Sequence, residues 1–324
     1  MEDMLINAVT RLAMGLALEA LGYPKPGNVH RMRNFSDTTL EDFVVSGFTA
    51  VFYLYKAARR GAKVARGEKP RVLLGDAISG MVSKAREVSG GGNTCLGTAI
   101  LLVPLATALG YLYARDEDPT IDSLAIEATN LLKNYTTISD AIELYKAIRI
   151  ASPSYLKPED VTDPLPNVWD PQFAHRLTAK GYRLWHVLVY SAERDVVARE
   201  TVSRYQFSRE AARFLSQRLE EHGDWNRAVV ETYLWVLSRV RDTIVALKHG
   251  IDTALEIRRR AAEILRVAES SWEEALPMIK QLDDELGARG INPGSSADIV
   301  ATAIALYAVE KRCRIVRAGK CVEM

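Results

Sequence analysis

Lys25 stands between two prolines in the stretch Pro24-Lys-Pro-Gly-Asn-Val-His-Arg31, which interrupts an otherwise helical pattern. Pro24 fixes its own φ, and Pro26 pushes Lys25 towards extended backbone, so the lysine has little freedom. Gly27 permits a positive φ or close approach of backbone to a ligand. Asn28 and His30 follow within reach of the same space. A cation fixed in this way suits a phosphate; a helix stop with a solvated lysine is the plainer alternative. Two further junctions are of the same kind. In "SGGGNTCLG", Ser89–Gly97, Gly91 and Gly92 precede Asn93 and Thr94, two good N-cap residues, and an uncharged helix follows. Glycines there let an anion approach the unpaired N–H groups of the helix start, or else form only a flexible link. In "RGINPGSSADIV", a Pro-Gly turn leads to Ser295 and Ser296 as potential caps, with Asp298 in the first turn. The helix dipole alone would account for Asp298; a carboxylate there equally suits a metal or a sugar hydroxyl. If the three junctions converge, they make a polyphosphate site with Lys25 as point charge and carboxylates for a divalent ion.

The elements that must position these residues are helices. Leu5, Val9, Leu12, Leu16 and Ala20 form one apolar stripe, and Val44, Phe48, Val51, Leu54 and Tyr55 another. The same periodicity runs through about 125–150, 180–220, 226–248, 252–268, 273–287 and 296–311. Alternation of strand type is confined to the short "PRVLLGDA" and "CRIVRAGKCVE". The expected fold is all-α: a single large multi-helix bundle spanning 1–324 around a buried central helix. A proline-rich excursion at about 152–181 holds five of the twelve prolines and reads as a surface excursion or a lid.

Composition excludes several classes of function. The formal net charge is +1, so no field of one sign argues for nucleic acid or an anionic membrane. An anionic ligand must therefore be held by local groups. Cys95, Cys313 and Cys321 are too few for a disulfide scaffold and fit no zinc spacing; whether Cys313 and Cys321 pair is open. With no signal peptide at the acidic start, the expected location is the cytoplasm. No charge occurs from Val88 to Ala114, and Thr94–Ala114 is long enough to span a bilayer. Pro104, Gly110, the polar start and the lack of aromatic belts favour the buried centre of a bundle instead.

These motifs, in this order, resemble the triphosphoribosyl-dephospho-CoA synthase family, the ATP:dephospho-CoA triphosphoribosyl transferases. Glu19 lies five residues before Pro-Lys-Pro-Gly; "GGNTCLG", "RDTIVALKHG" and "NPGSSAD" follow, so the anchors run from Glu19 to Asp298. Family members usually carry His-Lys where this chain has Cys95-Leu96, Leu-Val-Asp where it has Asn28-Val29-His30, and Arg where it has Lys248. The chain thus resembles a divergent branch. The resemblance implies an all-α enzyme that cleaves the N-glycosidic bond of ATP and passes the triphosphoribosyl group to the ribose 2′-hydroxyl of dephospho-CoA or a related acceptor, releasing adenine. It also implies Mg²⁺. Expected partners are ATP, the nucleotide acceptor and, as an open option, a second copy of the chain, with neither nucleic acid nor membrane. The rivals are a Mg²⁺-dependent nucleotide hydrolase or phosphotransferase, and a non-catalytic nucleotide-binding helical protein.

Under that resemblance the residues take provisional roles. Positive charge builds on the sugar as a ribosyl C–N bond breaks, so carboxylates near the anomeric carbon are needed, one of them to accept a proton. Asp298 and Asp242 are the candidates for sugar-side or metal roles, and Glu19 could accept from a hydroxyl or orient Lys25. His30 could donate to purine or phosphate. Lys248 shares a site with Asp242 only if their helix ends before it, since six residues turn about 240°. Asp37 and Asp195 are metal candidates of lower rank. Asp37 and Asp42 read first as an N-cap and first-turn acid of the next helix, and Asp195 could pair with Arg199 at i,i+4. Cys95 is given no nucleophilic role.

Overall fold

A computed structural model describes residues 2–160 and 162–312. Among these the chain forms helices α1 (Glu2–Ala20), α2 (Leu40–Ala65), α3 (Gly75–Ser89), α4 (Leu96–Tyr113), α5 (Ile121–Tyr135), α6 (Ile138–Ala151), α7 (Phe173–Ala179) and α8 (Leu184–Ser191). The second half supplies α9 (Val196–Val202), α10 (Gln206–His222), α11 (Trp225–Arg239), α12 (Thr243–His249), α13 (Ile251–Ser270), α14 (Trp272–Ala288) and α15 (Gly294–Lys311). No strand forms among the described residues, as the periodicity predicts. "PRVLLGDA" is irregular backbone running into α3, and "CRIVRAGKCVE", with Cys313 and Cys321, lies outside the described residues.

Three periodic stretches that read as single helices are divided by caps. Thr137 caps α6 through a capping box with Asp140, which ends α5 at Tyr135. Asp195 caps α9, accepting from Ala198 N at 2.8 Å, and so breaks up the region 180–220. Asp242 caps α12 in the same way and separates it from α11. Apolar spacing persists across a short break, whereas the break itself depends on single side chains. The cap of α2 is Thr39, boxed with Asp42, two residues later than the expected Asp37.

The uncharged stretch is α4, which packs against α2, α5, α1 and α15. It is long and apolar enough to cross a membrane, but 83% of its eighteen-residue window is buried inside the protein. Its neighbours approach closely because glycines face backbone: a Cβ on Gly61 of α2 would collide with the Thr107 carbonyl, and one on Gly110 with that of Ala58. Gly61→Val must therefore separate α2 from α4. We expect a loss of about 3 kcal/mol, the upper end for overpacking, readable as a lowered urea midpoint.

Candidate functional site

Three helix ends meet at one cleft: the last turn of α1, the start of α4 and the first two turns of α15. Counting its open mouth, the cleft encloses about 540 Å³, within the range of small-molecule sites. Two of the three sequence junctions thus converge, with part of the third.

Asp298 is the centre of the cleft. It sits on the second turn of α15, not in the first, and its Oδ1 accepts from Thr98 Oγ1 of α4. Any Cβ on Gly97 would strike the same carboxylate, so glycine lets α4 come this close to α15. Burial pushes the Asp298 acid up to about 7; repulsion from Glu19, Asp242 and Asp195 adds to the shift, and the Thr98 hydrogen bond opposes it. A carboxyl poised at neutral pH is suited to proton transfer.

Glu19, also on the cleft, is buried and paired with Lys25, whose Nζ reaches Glu19 Oε1 and, at 3.1 Å, the Glu19 carbonyl. Burial lifts the glutamate and lowers the lysine, and each opposes the other's shift. Whichever holds the proton, the pair is neutral overall. Lys25 is fully buried, its Nζ 5.6 Å from the centre of the Tyr233 ring. It braces Glu19 from behind and does not line the cleft, contrary to the expected phosphate contact.

The rest of that loop is turned inward by α14. Asp283 Oδ1 accepts from Gly27 N at 3.0 Å and its Oδ2 lies 2.9 Å from His30 Nε2. His30 Nδ1 accepts from Met32 N, which leaves the Nε2 proton for Asp283 in the neutral ring. Gly27 has φ +71, and a Cβ there would meet Ile291 O at 2.6 Å. Gly27 and His30 therefore latch the loop to the core and take no part in the cleft. Asn28 alone lines it, and its buried Nδ2 has the Tyr233 hydroxyl beside it but makes no well-formed hydrogen bond. Asn292 Oδ1, also in the lining, is likewise unsatisfied. An orphan donor and an orphan acceptor facing one cleft call for a ligand or ordered water.

At the glycine run, Asn93 and Thr94 line the cleft, but Cys95 occupies the N-cap position of α4. Asn93 Oδ1 accepts from Leu96 N at 3.1 Å, and Thr94 Oγ1 lies 2.6 Å from Ser46 Oγ. Gly91 packs on the Asp42 carboxylate, and Gly92 N donates to Asp37 O at 2.7 Å. Both glycines lie outside the cleft lining, as does the exposed Asp37.

Asp242 has a structural task. Its Oδ1 accepts from Val245 N at 3.0 Å, and its Oδ2 from Ser296 N and Oγ at 2.7 and 2.8 Å. One carboxylate thus caps α12 and the first turn of α15; it lies outside the cleft lining and fixes the start of the helix that carries Asp298. Ser295 and Ser296 lie inside α15 after the Pro293 cap position, so neither is the cap that the sequence suggests. Lys248 is exposed near the end of α12, which runs on to His249; it does not join the cleft. Asp195 caps α9 through Oδ1 and lies outside the cleft lining, and Arg199 turns to the Ala192 and Glu193 carbonyls instead of pairing with it.

The chain matches known proteins along most of its length. Residues 7–315 fit the family model described as ATP:dephospho-CoA triphosphoribosyl transferase (CitG). The chain belongs to this family. A Citrobacter koseri protein assigned as a 2-(5″-triphosphoribosyl)-3′-dephosphocoenzyme-A synthase is 26% identical over 302 residues, which are 91% of this chain and 88% of that one. A Klebsiella pneumoniae synthase of the same description is 31% identical over 86 residues, 26% of this chain and 28% of its own. A crystal structure of an Archaeoglobus fulgidus chain assigned as a triphosphoribosyl-dephospho-CoA synthase shares the fold, with TM-score 0.60 at 24% identity over 82% of this chain and 98% of that one.

Where this transferase family usually carries His-Lys, Cys95 and Leu96 line the cleft. Burial and the Asp298 charge push the Cys95 thiol up to about 12, so it is no thiolate nucleophile. Sequence reasoning missed Thr98, whose role rests on its contact with Asp298, and Asn292, whose side-chain oxygen lies unpaired in the lining. It also missed Tyr155, on the proline-rich excursion. Burial first, then the charges of Asp195, Asp298 and Asp242, hold that phenol well above its usual range, although Tyr155 is not in the cleft lining. Its only sequence signal is the proline before it, in Pro153-Ser-Tyr155.

Proposed function

We infer that this member of the transferase family moves the triphosphoribosyl group of ATP to the 2′-hydroxyl of dephospho-CoA or a related acceptor, with Asp298 as the group at the reacting centre. The observation that carries the assignment is the Asp298 carboxyl, pushed up to about 7, beside Glu19 in a cleft lined by the family's own motifs. The C1′–N9 bond of ATP breaks and a C1′–O2′ bond to the acceptor forms. Ionised Asp298 takes the hydroxyl proton, and its charge favours the cationic ribosyl transition state. The proton lost by the hydroxyl balances the one gained by departing adenine. Asn28 Nδ2 and Asn292 Oδ1 supply a donor and an acceptor for purine or ribose edges. Thr98 holds the Asp298 carboxylate in place.

Among the described residues no three His, Cys, Asp or Glu side chains cluster as metal ligands. This donor set fits a Mg²⁺ ion brought in on substrate phosphates, which needs only one or two carboxylates, and does not fit a protein cage. Glu19 Oε2, which accepts no hydrogen bond from the described residues, would hold it. When bound, Mg²⁺ neutralises phosphate charge. Hydrolysis or phosphotransfer would attack phosphorus and leave adenine attached, which gives the two readings different products.

The test is incubation with ATP and Mg²⁺, with and without dephospho-CoA, followed by separation of products. Free adenine appearing only with dephospho-CoA is expected; ADP or phosphate without adenine would sink the assignment. If Asp298 is the base, kcat/KM should rise with pH through a midpoint near 7. A profile that falls through the same pH would make Asp298 an acid and reassign the base.

A further inference from the structure

A second recess lies beside the two capping aspartates. Four arginines line it, Arg194, Arg199, Arg239 and Arg241, together with Phe207 and Thr243, and no carboxylate shares the lining. In a chain of net charge +1 this is a local accumulation. Two of these arginines donate to neutral groups, and a third donates to none of the described residues. Arg199 donates to the Ala192 and Glu193 carbonyls at 3.0 and 3.2 Å. Arg239 donates to Ser238 Oγ at 2.9 Å and lies 4.1 Å from the centre of the Trp235 ring. Arg241 makes no hydrogen bond or ion pair with the described residues. Glu200, the acid of α9 nearest to them in sequence, is turned inward, where it accepts from Phe207 N and Ser208 N at 3.0 and 2.7 Å.

The starts of α9 and α12 link the recess to the carboxylates that act on Asp298. Val196 N donates to Thr243 Oγ1 at 2.9 Å, tying together the starts of α9 and α12. Asp195 and Asp242, one residue before each, both act electrostatically on Asp298 and Tyr155. Guanidinium groups present paired N–H donors that match phosphate oxygens; Glu210 and Glu269 act on Arg239 from outside the lining.

We propose that this recess binds the phosphate chain, two phosphates or more, of one nucleotide substrate whose ribose reaches Asp298. The proposal rests on the transferase reading above and replaces Lys25 as the source of positive charge. Two substrates of that reaction carry such a chain, ATP and dephospho-CoA. The test is calorimetric titration of full-length wild type and the Arg239→Gln/Arg241→Gln double variant with ATP, dephospho-CoA and phosphate-free adenosine.

At least a tenfold loss for one nucleotide is expected, with adenosine unaffected and a weaker dependence on salt. Loss confined to dephospho-CoA assigns the recess to the acceptor, loss confined to ATP assigns it to the donor, and loss for both means that they compete for it. Nucleotide affinities within twofold of wild type, in a variant that melts normally, overturn the proposal. Wild type that binds adenosine as tightly as both nucleotides overturns it too. Arg241→Glu reverses a charge that has no hydrogen bond or ion pair with the described residues and serves if the double variant fails to fold. Binding needs no turnover, so absent adenine release with intact Arg-dependent binding would fault the transferase reading and spare the recess.

Discussion

Asp298→Asn is expected to lower adenine release by a factor of about 10³, within the range for loss of a general base together with a transition-state charge. ATP binding should change by less than about threefold, because the amide keeps the shape and the Thr98 hydroxyl can still donate to its carbonyl. The limb of kcat/KM near pH 7 should vanish with the carboxyl that titrates there. Stability should move in the opposite sense. An unfolded aspartate ionises near 3.9, whereas the folded acid holds its proton to about 7. Between those values the native state binds the extra proton, so wild-type stability falls as pH rises through this window. Asp298→Asn removes that slope. Chemical denaturation at pH 5 and pH 8 should show a smaller difference for the variant than for wild type. A variant that releases adenine at the wild-type rate would take Asp298 out of the reaction.

The order of motifs was legible because each has a local cause. Gly97 must be glycine where α4 meets Asp298, and Pro24 and Pro26 restrict the loop whatever surrounds it. The apolar character of α4 follows from burial on all its faces. The direction of a polar side chain does not follow from local sequence. Lys25 points inward because Glu19 receives it and because Asp283, from α14, latches Gly27 and His30. Ser296 is no cap because Asp242 arrives from another helix to accept its N–H. Glycine next to a cation reads the same whether the loop faces ligand or core. What separates the two cases is a partner more than two hundred residues away. Tyr155 was illegible for a related reason: nothing in its neighbours signals three distant aspartates.

The largest expected effect on stability is at Lys25. Glu19 and Lys25 are both almost wholly buried and paired with each other. Lys25→Met removes the cation and leaves a buried carboxyl without its partner, a change that costs about 3–5 kcal/mol. Glu19→Gln strands the ammonium in the same way. The Lys25→Met/Glu19→Gln double variant removes both charges at similar volume and should recover much of either loss, since a buried ion pair offers little net stability over apolar packing. A double-mutant cycle on urea midpoints should therefore show strong coupling, above about 1.5 kcal/mol and outside the additive range. Function should part from stability in this series. The double variant regains its fold but lacks the Glu19 carboxylate on the cleft, so adenine release should stay low while melting recovers. If Lys25 instead faced phosphate, Lys25→Met would weaken ATP binding with little loss of stability. The two measurements together decide whether the lysine between two prolines holds the substrate or the glutamate.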